Sequence, residues 1–537
     1  MTWICRQERA RQEHFLEAPN VLSETQTETF GARRDLRPRF PAIQDGTAYG
    51  IYALALALAI STWFLAIRAP LWLDETISFF VIKGGFREIL SRQGWPGVPA
   101  YPYILWLWAK AVGTGEVALR ISSVLAMLGA VYLLYRSARE LFDVDVAIIA
   151  AIVFCLHPII ISEAIDIRPY PFAALAITAS IFILVRLRDS DSVGLAALFG
   201  FSAACIVYFQ FLFVVILPAL VISFFAIKGG EPRSLRRQLP VALVTFAVAF
   251  LPVIPGLRYM FHTSGVHVYA AAPAFWQLRS TLAPVRVAIC LAATLLIAGV
   301  ARRLDLRRLR EGRTILFCGS LALAPILTLY GVSKETSIHI FLARYCIVAV
   351  PGIALCWAWV AGLIHSRTLR LLFCTVLVAV TVYHSFRSPS SRVHNYTWKY
   401  ALEAAEKSAS TDNAPVLICS DLPESDSMPM PVGPAIKDSA LFAPLSYYPL
   451  SVPVVPLPRA LSATAVQAGS QFLHEAAQRH ERFLALAFEP SYETLDWLAR
   501  NAEGTHRVIE VGVFDRVKVL EFVPRRSAAN SVGAASP

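Results

Sequence analysis

The sequence predicts a polytopic α-helical membrane protein, with about 11 spans and a small C-terminal α/β domain. Of its 537 residues, 56% are hydrophobic and 16% are charged, whereas about a quarter of a typical soluble domain is charged. Apolar segments long enough to span a bilayer recur between residues 48 and 385. Beyond residue 386 the chain is less apolar, and helix-like stretches alternate with strand-like ones.

The predicted spans are apolar segments close to the roughly 20 residues that cross a bilayer as a helix. Eleven segments meet this description. They are residues 48–67, 117–135, 145–162, 171–187, 192–209, 211–227, 240–256, 284–301, 314–331, 343–362 and 369–385.

The loops between these segments predict their orientation. Loops that carry Arg136, Arg186, Lys228, Arg302 and Arg370 are rich in basic residues, and they alternate with loops that carry few. Because basic loops remain in the cytoplasm, the arginine-bearing N-terminal tail is predicted to be cytoplasmic. Eleven spans then place the C-terminal domain on the outer side.

One further apolar segment, residues 101–112, is not counted as a span because it would invert every later loop. The segment is short, carries Lys110 and contains Trp106 and Trp108, which suit the headgroup region. We therefore predict an interfacial or re-entrant helix within an outer loop of residues 68–116.

The predicted domain organisation has four parts. A disordered cytoplasmic tail (1–47) precedes the transmembrane domain (48–385), which is followed by the α/β domain (386–525) and a disordered tail (526–537). Within the α/β domain, the predicted elements flank a proline-rich loop. They are helices at 397–409, 462–480 and 490–502, strands at 415–420, 483–488, 507–512 and 517–523, and the loop at 421–459.

Charge and cysteine usage exclude two other classes of protein. The net charge is +11, but the arginines lie in short loops rather than on a basic face interleaved with aromatic residues. No nucleic-acid partner is therefore predicted. The nine cysteines include no CxxC pair, and most lie in apolar segments, so the sequence predicts neither a disulfide framework nor a zinc site.

Three short motifs carry residues suited to chemistry at the outer membrane surface. The first is the adjacent pair Asp74 and Glu75, which follows an apolar run at the start of the outer loop. Such acids often cap the first turn of a helix. The functional interpretation is a general base at the mouth of a membrane cavity, where partial desolvation makes a carboxylate a better base.

The other two motifs combine arginine with tyrosine. Asp166, Arg168 and Tyr170 occupy a very short outer loop, where they form either a surface ion pair or part of a substrate path. Arg344 and Tyr345 enter the tenth predicted span. They are either snorkelling interfacial residues or a site that binds phosphate, because guanidinium groups match phosphate oxygens in pairs.

In their order and spacing, these motifs resemble the GT-C class of membrane glycosyltransferases. The branch is that of the protein O-mannosyltransferases and bacterial aminoarabinose transferases (glycosyltransferase family 39-like). Leu71–Ser78 is similar to the first-loop acidic motif of this class. Asp166–Tyr170 is similar to its Glu-x-Arg-x-Tyr motif, and Arg344–Pro351 to its late Arg-Tyr motif.

The resemblance extends to Glu116–Phe142 and Tyr396–Cys419, and it has two departures. Asp166 stands where Glu is usual. Many relatives carry His or Glu before a Pro-Pro-Leu-Tyr-Tyr run, whereas the corresponding segment here is Gly97–Tyr103.

The resemblance implies an inverting transfer of a hexose or pentose from a polyprenyl-phosphate-linked donor to a hydroxyl of a glycan, lipid or protein. Asp74 would be the base, and Glu75 would orient it or the acceptor. Arg344 would stabilise the charge on the departing phosphate. Asp166 and Arg168 would hold the sugar or a metal, and Tyr170 and Tyr345 would also bind the substrate.

The resemblance also implies a location and leaves two points open. The protein would lie in a bacterial inner membrane, among membrane lipids, with its C-terminal domain in the periplasm. No cofactor is required by this chemistry, and use of a divalent metal stays open. Two alternatives are a transporter or flippase of lipid-linked sugars, which needs no base, and a non-catalytic subunit of an envelope assembly.

Overall fold

A computed structural model describes residues 45–93, 100–228, 232–262, 271–387, 398–426 and 433–525. The tail at 526–537, and the tail at 1–47 up to residue 44, lie outside the described residues. Residues 97–99 also lie outside the described residues; they begin the segment Gly97–Tyr103, which differs from the pattern of the resembled family.

The chain through residue 387 forms a bundle of helices, several of them extended by short 3-10 turns. These helices are α1 (Asp45–Ser61), α2 (Leu73–Ile82), α3 (Ile89–Gln93), α4 (Ala100–Val112), α5 (Glu116–Leu141), α6 (Val144–Cys155), α7 (Pro158–Glu163), α8 (Tyr170–Leu187), α9 (Val193–Phe209), α10 (Leu217–Lys228), α11 (Pro232–Phe250), α12 (Ile254–His262), α13 (Phe275–Leu282), α14 (Val285–Val300), α15 (Gly312–Glu335), α16 (Val350–Gly362) and α17 (Arg367–Arg387).

The described helices include eight segments that are long and apolar enough to cross a membrane, and nine if the bent pair α13–α14 is one span. The eight are Asp45–Ala66, Glu116–Leu141, Tyr170–Leu187, Phe211–Lys228, Arg233–His262, Gly312–Glu335, Ala343–Gly362 and Arg367–Arg387. Helices α6 and α9 are apolar but shorter. Every predicted span thus coincides with an apolar helix, and the chain is a multi-pass membrane protein, although the count of eleven stays a prediction.

Helix α4 covers the segment that we excluded from the span count. It has 13 residues and is not among the helices long enough to span. Its Tyr101 and Leu105 pack in one buried cluster with Leu71 before α2 and Leu119 of α5. Its placement in the membrane interface stays a prediction.

The basic loops converge at one end of the bundle. Asp143 accepts hydrogen bonds from Arg308 and Arg370, at 3.1 Å each, and Arg367 pairs with Asp145 at 3.0 Å. Helix α5 runs from Glu116 to Leu141, so its first turn lies at the other end of the bundle. The alternation of basic and base-poor loops therefore corresponds to the two ends of the molecule.

The C-terminal α/β domain is confirmed. Its described residues form five strands, which are β1 (Val416–Cys419), β2 (Val454–Leu457), β3 (Phe483–Phe488), β4 (His506–Phe514) and β5 (Val517–Pro524). They form one sheet in the order β2-β1-β3-β5-β4, in which β2, β1 and β3 are parallel and β5 pairs antiparallel with both β3 and β4.

Helices cover both faces of this sheet. Helix α18 (Trp398–Ala409) packs on one face, with a short helix, α19 (Ala443–Tyr447), beside it. Helices α20 (Ala463–Arg479) and α21 (Tyr492–Ala502) pack on the other. The prediction missed β2 and α19, because both lie in the proline-rich segment 421–459 and proline suppresses the usual strand and helix patterns.

Helices α15 and α16 approach each other closely at Gly352. A Cβ atom there would lie 2.5 Å from the backbone nitrogen of Ala322 and would also collide with Leu321. We expect Gly352→Ala to lower the thermal unfolding temperature of the detergent-solubilised protein, because overpacking of this kind costs about 1–3 kcal/mol. Gly319→Ala in α15, where nothing lies within 4 Å, is the matched control. Equal unfolding temperatures for the two variants would contradict this close approach.

Candidate functional site

Asp74 lies in the first turn of α2, where its carboxylate meets two arginines from distant parts of the chain. Arg344 Nη1 donates to Asp74 Oδ2 at 2.8 Å, and Arg168 Nη2 lies 3.6 Å from the same oxygen. Arg168 Nη1 also donates to the Asp74 backbone carbonyl at 3.2 Å. The side chain of Asp74 is 16% exposed, so the group is partly desolvated and still reachable.

Two tyrosines pack beside these arginines. The guanidinium carbon of Arg168 lies 5.9 Å from the ring centre of Tyr170, and that of Arg344 lies 5.5 Å from the ring centre of Tyr345. The two rings meet edge to face at 6.2 Å. Cation–π contacts of this kind orient a guanidinium group without neutralising its charge. The structure thus brings the Asp74, Arg168 and Arg344 motifs into one cluster.

Glu75 is placed differently from its neighbour. It is fully buried and forms a bidentate ion pair with Arg120 of α5, at 2.6 and 3.1 Å. Its oxygens also accept the backbone N–H groups of Trp72 and Ile167. The capping interpretation therefore applies to Glu75, because its bond to Trp72 caps α2. Both Glu75 oxygens are thus occupied by protein donors, and its role in orienting Asp74 or the acceptor stays a prediction.

Asp166 is also buried, at 3% exposure. Its backbone carbonyl accepts hydrogen bonds from Ser123 Oγ of α5 at 2.5 Å and from the N–H of Arg168 at 2.8 Å. These bonds fix the short loop against α5. Arg168 is the residue of this loop that reaches Asp74.

The donor set of the cluster does not fit a divalent metal. Within the described ranges, no three His, Cys, Asp or Glu side chains are grouped so that they could hold a metal ion. Guanidinium groups already lie against the Asp74 and Glu75 carboxylates, where a cation would otherwise bind. We therefore assign no step of the reaction to a metal.

The C-terminal domain directly contacts the segment between the first span and α5. Tyr448 accepts the N–H of Leu71, three residues before Asp74, and donates to Glu116 Oε1, both at 2.8 Å. Lys83 at the end of α2 pairs with Asp438 at 2.8 Å. The domain thereby fixes both ends of the helix that carries Asp74.

A further carboxylate of this domain faces the same region. Asp421 follows β1 and lines a small cavity together with Leu73 and Trp398. Burial raises the pKa of the Asp421 carboxyl to about 7, and the negative charge of Asp74 adds to this shift. Asp421 therefore retains a proton at pH values at which an exposed aspartate has lost it.

The fold and this cluster resemble those of the GT-C class of membrane proteins. Three features meet at the end of the bundle that carries the α/β domain. They are helix α2 with Asp74, the loop with Asp166 and Arg168, and the pair Arg344 and Tyr345. A family model described as dolichyl-phosphate-mannose-protein mannosyltransferase matches residues 96–258. The predicted resemblance is confirmed.

Solved structures agree on the fold. ArnT from Cupriavidus metallidurans in the apo state has 13% identity and a TM-score of 0.55, over 88% of this chain and 98% of that one. The same protein bound to undecaprenyl phosphate has 13% identity and a TM-score of 0.54, over 92% and 100%. Among curated protein sequences, none is significantly similar.

Sequence patterns missed the residues that hold this cluster together. Arg120 lies in a predicted span, and a charged residue in such a position is itself a signal of a functional or structural role. Its partner Glu75 is 45 residues away, so no local pattern joins the two. Tyr448 and Asp421 come from the proline-rich segment, where no motif distinguishes them.

We expect Glu75→Gln to destabilise the protein strongly. The change leaves Arg120 as an uncompensated buried charge, which costs about 3–5 kcal/mol. The double variant Glu75→Gln/Arg120→Gln should recover part of the loss. Thermal unfolding in detergent measures both effects. Glu88→Gln, which removes an exposed partner of Arg92, is the control and should unfold like the wild type. A mild effect of Glu75→Gln would refute the role of this pair.

Asp421 predicts a pH dependence of stability. Between the unfolded pKa of about 4 and the folded pKa of about 7, the folded chain binds the extra proton. Stability should therefore fall as pH rises through this window, by up to about 1.4 kcal/mol per pH unit. Unfolding temperatures measured from pH 4 to pH 8 should show this fall in the wild type. The control variant Asp496→Asn, which replaces an exposed carboxylate, should show the same fall. Asp421→Asn should flatten the profile, and an unchanged profile would contradict the assignment.

Proposed function

We propose that the protein is an inverting glycosyltransferase that moves a sugar from a polyprenyl-phosphate-linked donor to an acceptor hydroxyl. The observation that carries the proposal is the contact between Asp74 and Arg344, with Arg168 beside them. A carboxylate suited to accept a proton and two guanidinium groups suited to bind phosphate lie in one cluster. ArnT, whose fold is similar, binds undecaprenyl phosphate, which supports a lipid phosphate here as well.

The ion pair between Asp74 and Arg344 predicts the order in which the donor binds and the base becomes available. A donor phosphate competes with Asp74 for Arg344, because guanidinium groups bind phosphate oxygens in a bidentate way. The Arg344 side chain is 26% exposed, so an incoming headgroup reaches it. Once Arg344 turns to the phosphate, Asp74 Oδ2 loses its closest cation and becomes free to accept a proton.

The chemical step then requires one base and no general acid. The acceptor oxygen attacks the anomeric carbon while the bond between that carbon and the phosphate oxygen breaks. The bonding electrons leave with the phosphate, and the acceptor proton moves to Asp74. Arg344 and Arg168 stabilise the charge that develops on the phosphate, as fixed cations do in a partly desolvated site.

The formal charges of the cluster are consistent with this sequence. Two carboxylates, those of Asp74 and Glu75, form ion pairs with three guanidinium groups, those of Arg120, Arg168 and Arg344. In the transfer, Asp74 loses its negative charge by protonation while the leaving phosphate gains one. The total charge is therefore unchanged, and one negative charge moves from Asp74 to the phosphate that the arginines bind.

The proposed setting follows from the loop charges. The basic end of the bundle faces the cytoplasm, and the cluster and the α/β domain lie on the outer face of a bacterial inner membrane. The acceptor, which is a glycan, lipid or protein, reaches Asp74 from that side.

We expect Asp74→Asn to abolish transfer while the protein stays folded in the membrane. Removal of a general base costs about 10²–10⁴-fold in rate. Cells that lack the protein should accumulate a lipid-linked sugar and lose an envelope glycan. Mass spectrometry of lipid and glycan extracts measures both changes, and it requires no prior choice of sugar.

Complementation with variants makes this experiment specific. The wild type and the control Glu88→Gln should restore the glycan, whereas Asp74→Asn and Arg344→Ala should not. A transporter needs the arginine but no base. Restoration by Asp74→Asn, with Arg344→Ala still inactive, would overturn the transferase assignment in favour of transport.

A further inference from the structure

A cleft opens directly beside the Asp74 cluster. It encloses about 730 Å³ of empty space, part of which is open to solvent. Ser78, one helical turn after Asp74, lines one side of it, and Arg168 lines another. Because Arg168 also lies 3.6 Å from Asp74, the cleft adjoins the proposed reacting groups.

Three polar atoms of the cleft walls are buried and have no hydrogen-bond partner within standard distance and angle limits in the part of the chain that the structure describes, although Tyr101 interacts with Ser78 and Arg168 with Tyr170. They are Gln93 Oε1, Tyr101 OH and Arg168 Nε. The Gln93 and Tyr101 side chains belong to residues that are only 6% and 5% exposed. Buried polar atoms without partners are costly, so such a set in a cleft indicates a polar ligand.

The chemistry of these atoms is mixed. The amide oxygen of Gln93 accepts hydrogen bonds, Arg168 Nε donates, and the hydroxyl of Tyr101 does both. A sugar hydroxyl also donates and accepts, so it matches such a set. The other walls include the aromatic residues Tyr208, Phe209 and Phe211, a residue type whose rings pack against the C–H surface of a pyranose ring.

The described walls of the cleft contain no carboxylate. Arg168 lies 3.6 Å from Asp74, which pairs more closely with Arg344 at 2.8 Å, so positive charge remains at this side of the cleft. An ammonium group would therefore enter without a counter-charge and next to a guanidinium group, and burial of an unpaired charge is unfavourable. This lining favours an uncharged ligand.

We propose that this cleft holds the sugar of the donor and selects an uncharged polyhydroxylated glycosyl group over an amino sugar, through Gln93, Tyr101 and Arg168. The inference rests on the proposed function, because it places the sugar next to the phosphate bound by Arg344. It adds a substrate class: a neutral hexose or pentose.

The experiment measures binding rather than transfer. The full chain in nanodiscs is titrated with polyprenyl phosphate alone, with polyprenyl-phosphate hexoses, and with the matching hexosamines, which carry an ammonium in place of one hydroxyl. The hexose-linked lipids should bind about tenfold more tightly than the hexosamine-linked lipids, since a site that hydrogen-bonds a hydroxyl discriminates against its replacement.

Matched variants assign this preference to the cleft. Tyr101→Phe and Gln93→Leu should each weaken binding of the hexose-linked lipids about three- to tenfold, the value of one hydrogen bond. Neither should change binding of polyprenyl phosphate alone. Tyr103→Phe is the control, because Tyr103 lies on the same helix, packs against Phe86 and does not line the cleft. Gln93→Glu should shift the preference toward the hexosamines.

The outcomes separate the two proposals. If polyprenyl phosphate binds and Arg344→Ala abolishes that binding, the phosphate site of the proposed function stands. If the sugar preference is then absent, or unchanged by Tyr101→Phe and Gln93→Leu, the cleft assignment is wrong. If polyprenyl phosphate does not bind, the proposed function itself fails.

Discussion

The buried ion pair between Glu75 and Arg120 is the interaction on which the rest of the site depends. Besides Glu75, the Arg120 guanidinium donates to the backbone carbonyls of Ile67 and Pro70, and to that of Ala69 by a further contact. These carbonyls follow the end of the first span, where backbone groups lack helical partners and unsatisfied ones are costly at membrane depth. Glu75 also accepts the Ile167 N–H, and this bond attaches the loop that carries Arg168 to the same ion pair. One ion pair therefore joins the first span, α2, α5 and the second motif.

This arrangement explains how two adjacent carboxylates have different roles. Successive residues of a helix point about 100° apart, so Asp74 and Glu75 face different surroundings although they are neighbours in sequence. Glu75 is fully buried and all its contacts are to protein, whereas Asp74 is partly exposed and contacts Arg344. In the proposed mechanism the donor phosphate draws Arg344 away from Asp74, and a rigidly held Glu75 beside it is what a preorganised site requires, because the reacting group must stay in place while its ion pair changes.

The sequence predicted the elements whose signals are local. Hydropathy located every apolar helix, alternation of basic loops assigned their ends, and the motifs around Asp74, Arg168 and Arg344 identified residues that the structure brings together. That grouping depended on treating 101–112 as a non-spanning helix; one more span would have put Asp74 at the opposite end. The sequence did not predict the pairing of Arg120 with Glu75, the strand β2, or the buried polar atoms of Gln93 and Tyr101 in the cleft. Each is a product of contacts between segments distant in sequence, and proline-rich or apolar surroundings conceal them from any local pattern.

The α/β domain is a structural part of the site rather than an appendage. The hydroxyl of Tyr448 contacts the backbone just before α2 and the side chain of Glu116, which lies one helical turn before Arg120. Lys83 at the far end of α2 pairs with Asp438, and Phe79 in the middle packs edge to face on Tyr447 at 4.8 Å. The domain thus contacts α2 at both ends and the start of α5, the same two helices that the Glu75–Arg120 pair joins. Any displacement of the domain must strain these contacts, so its position and the position of Asp74 are coupled by geometry.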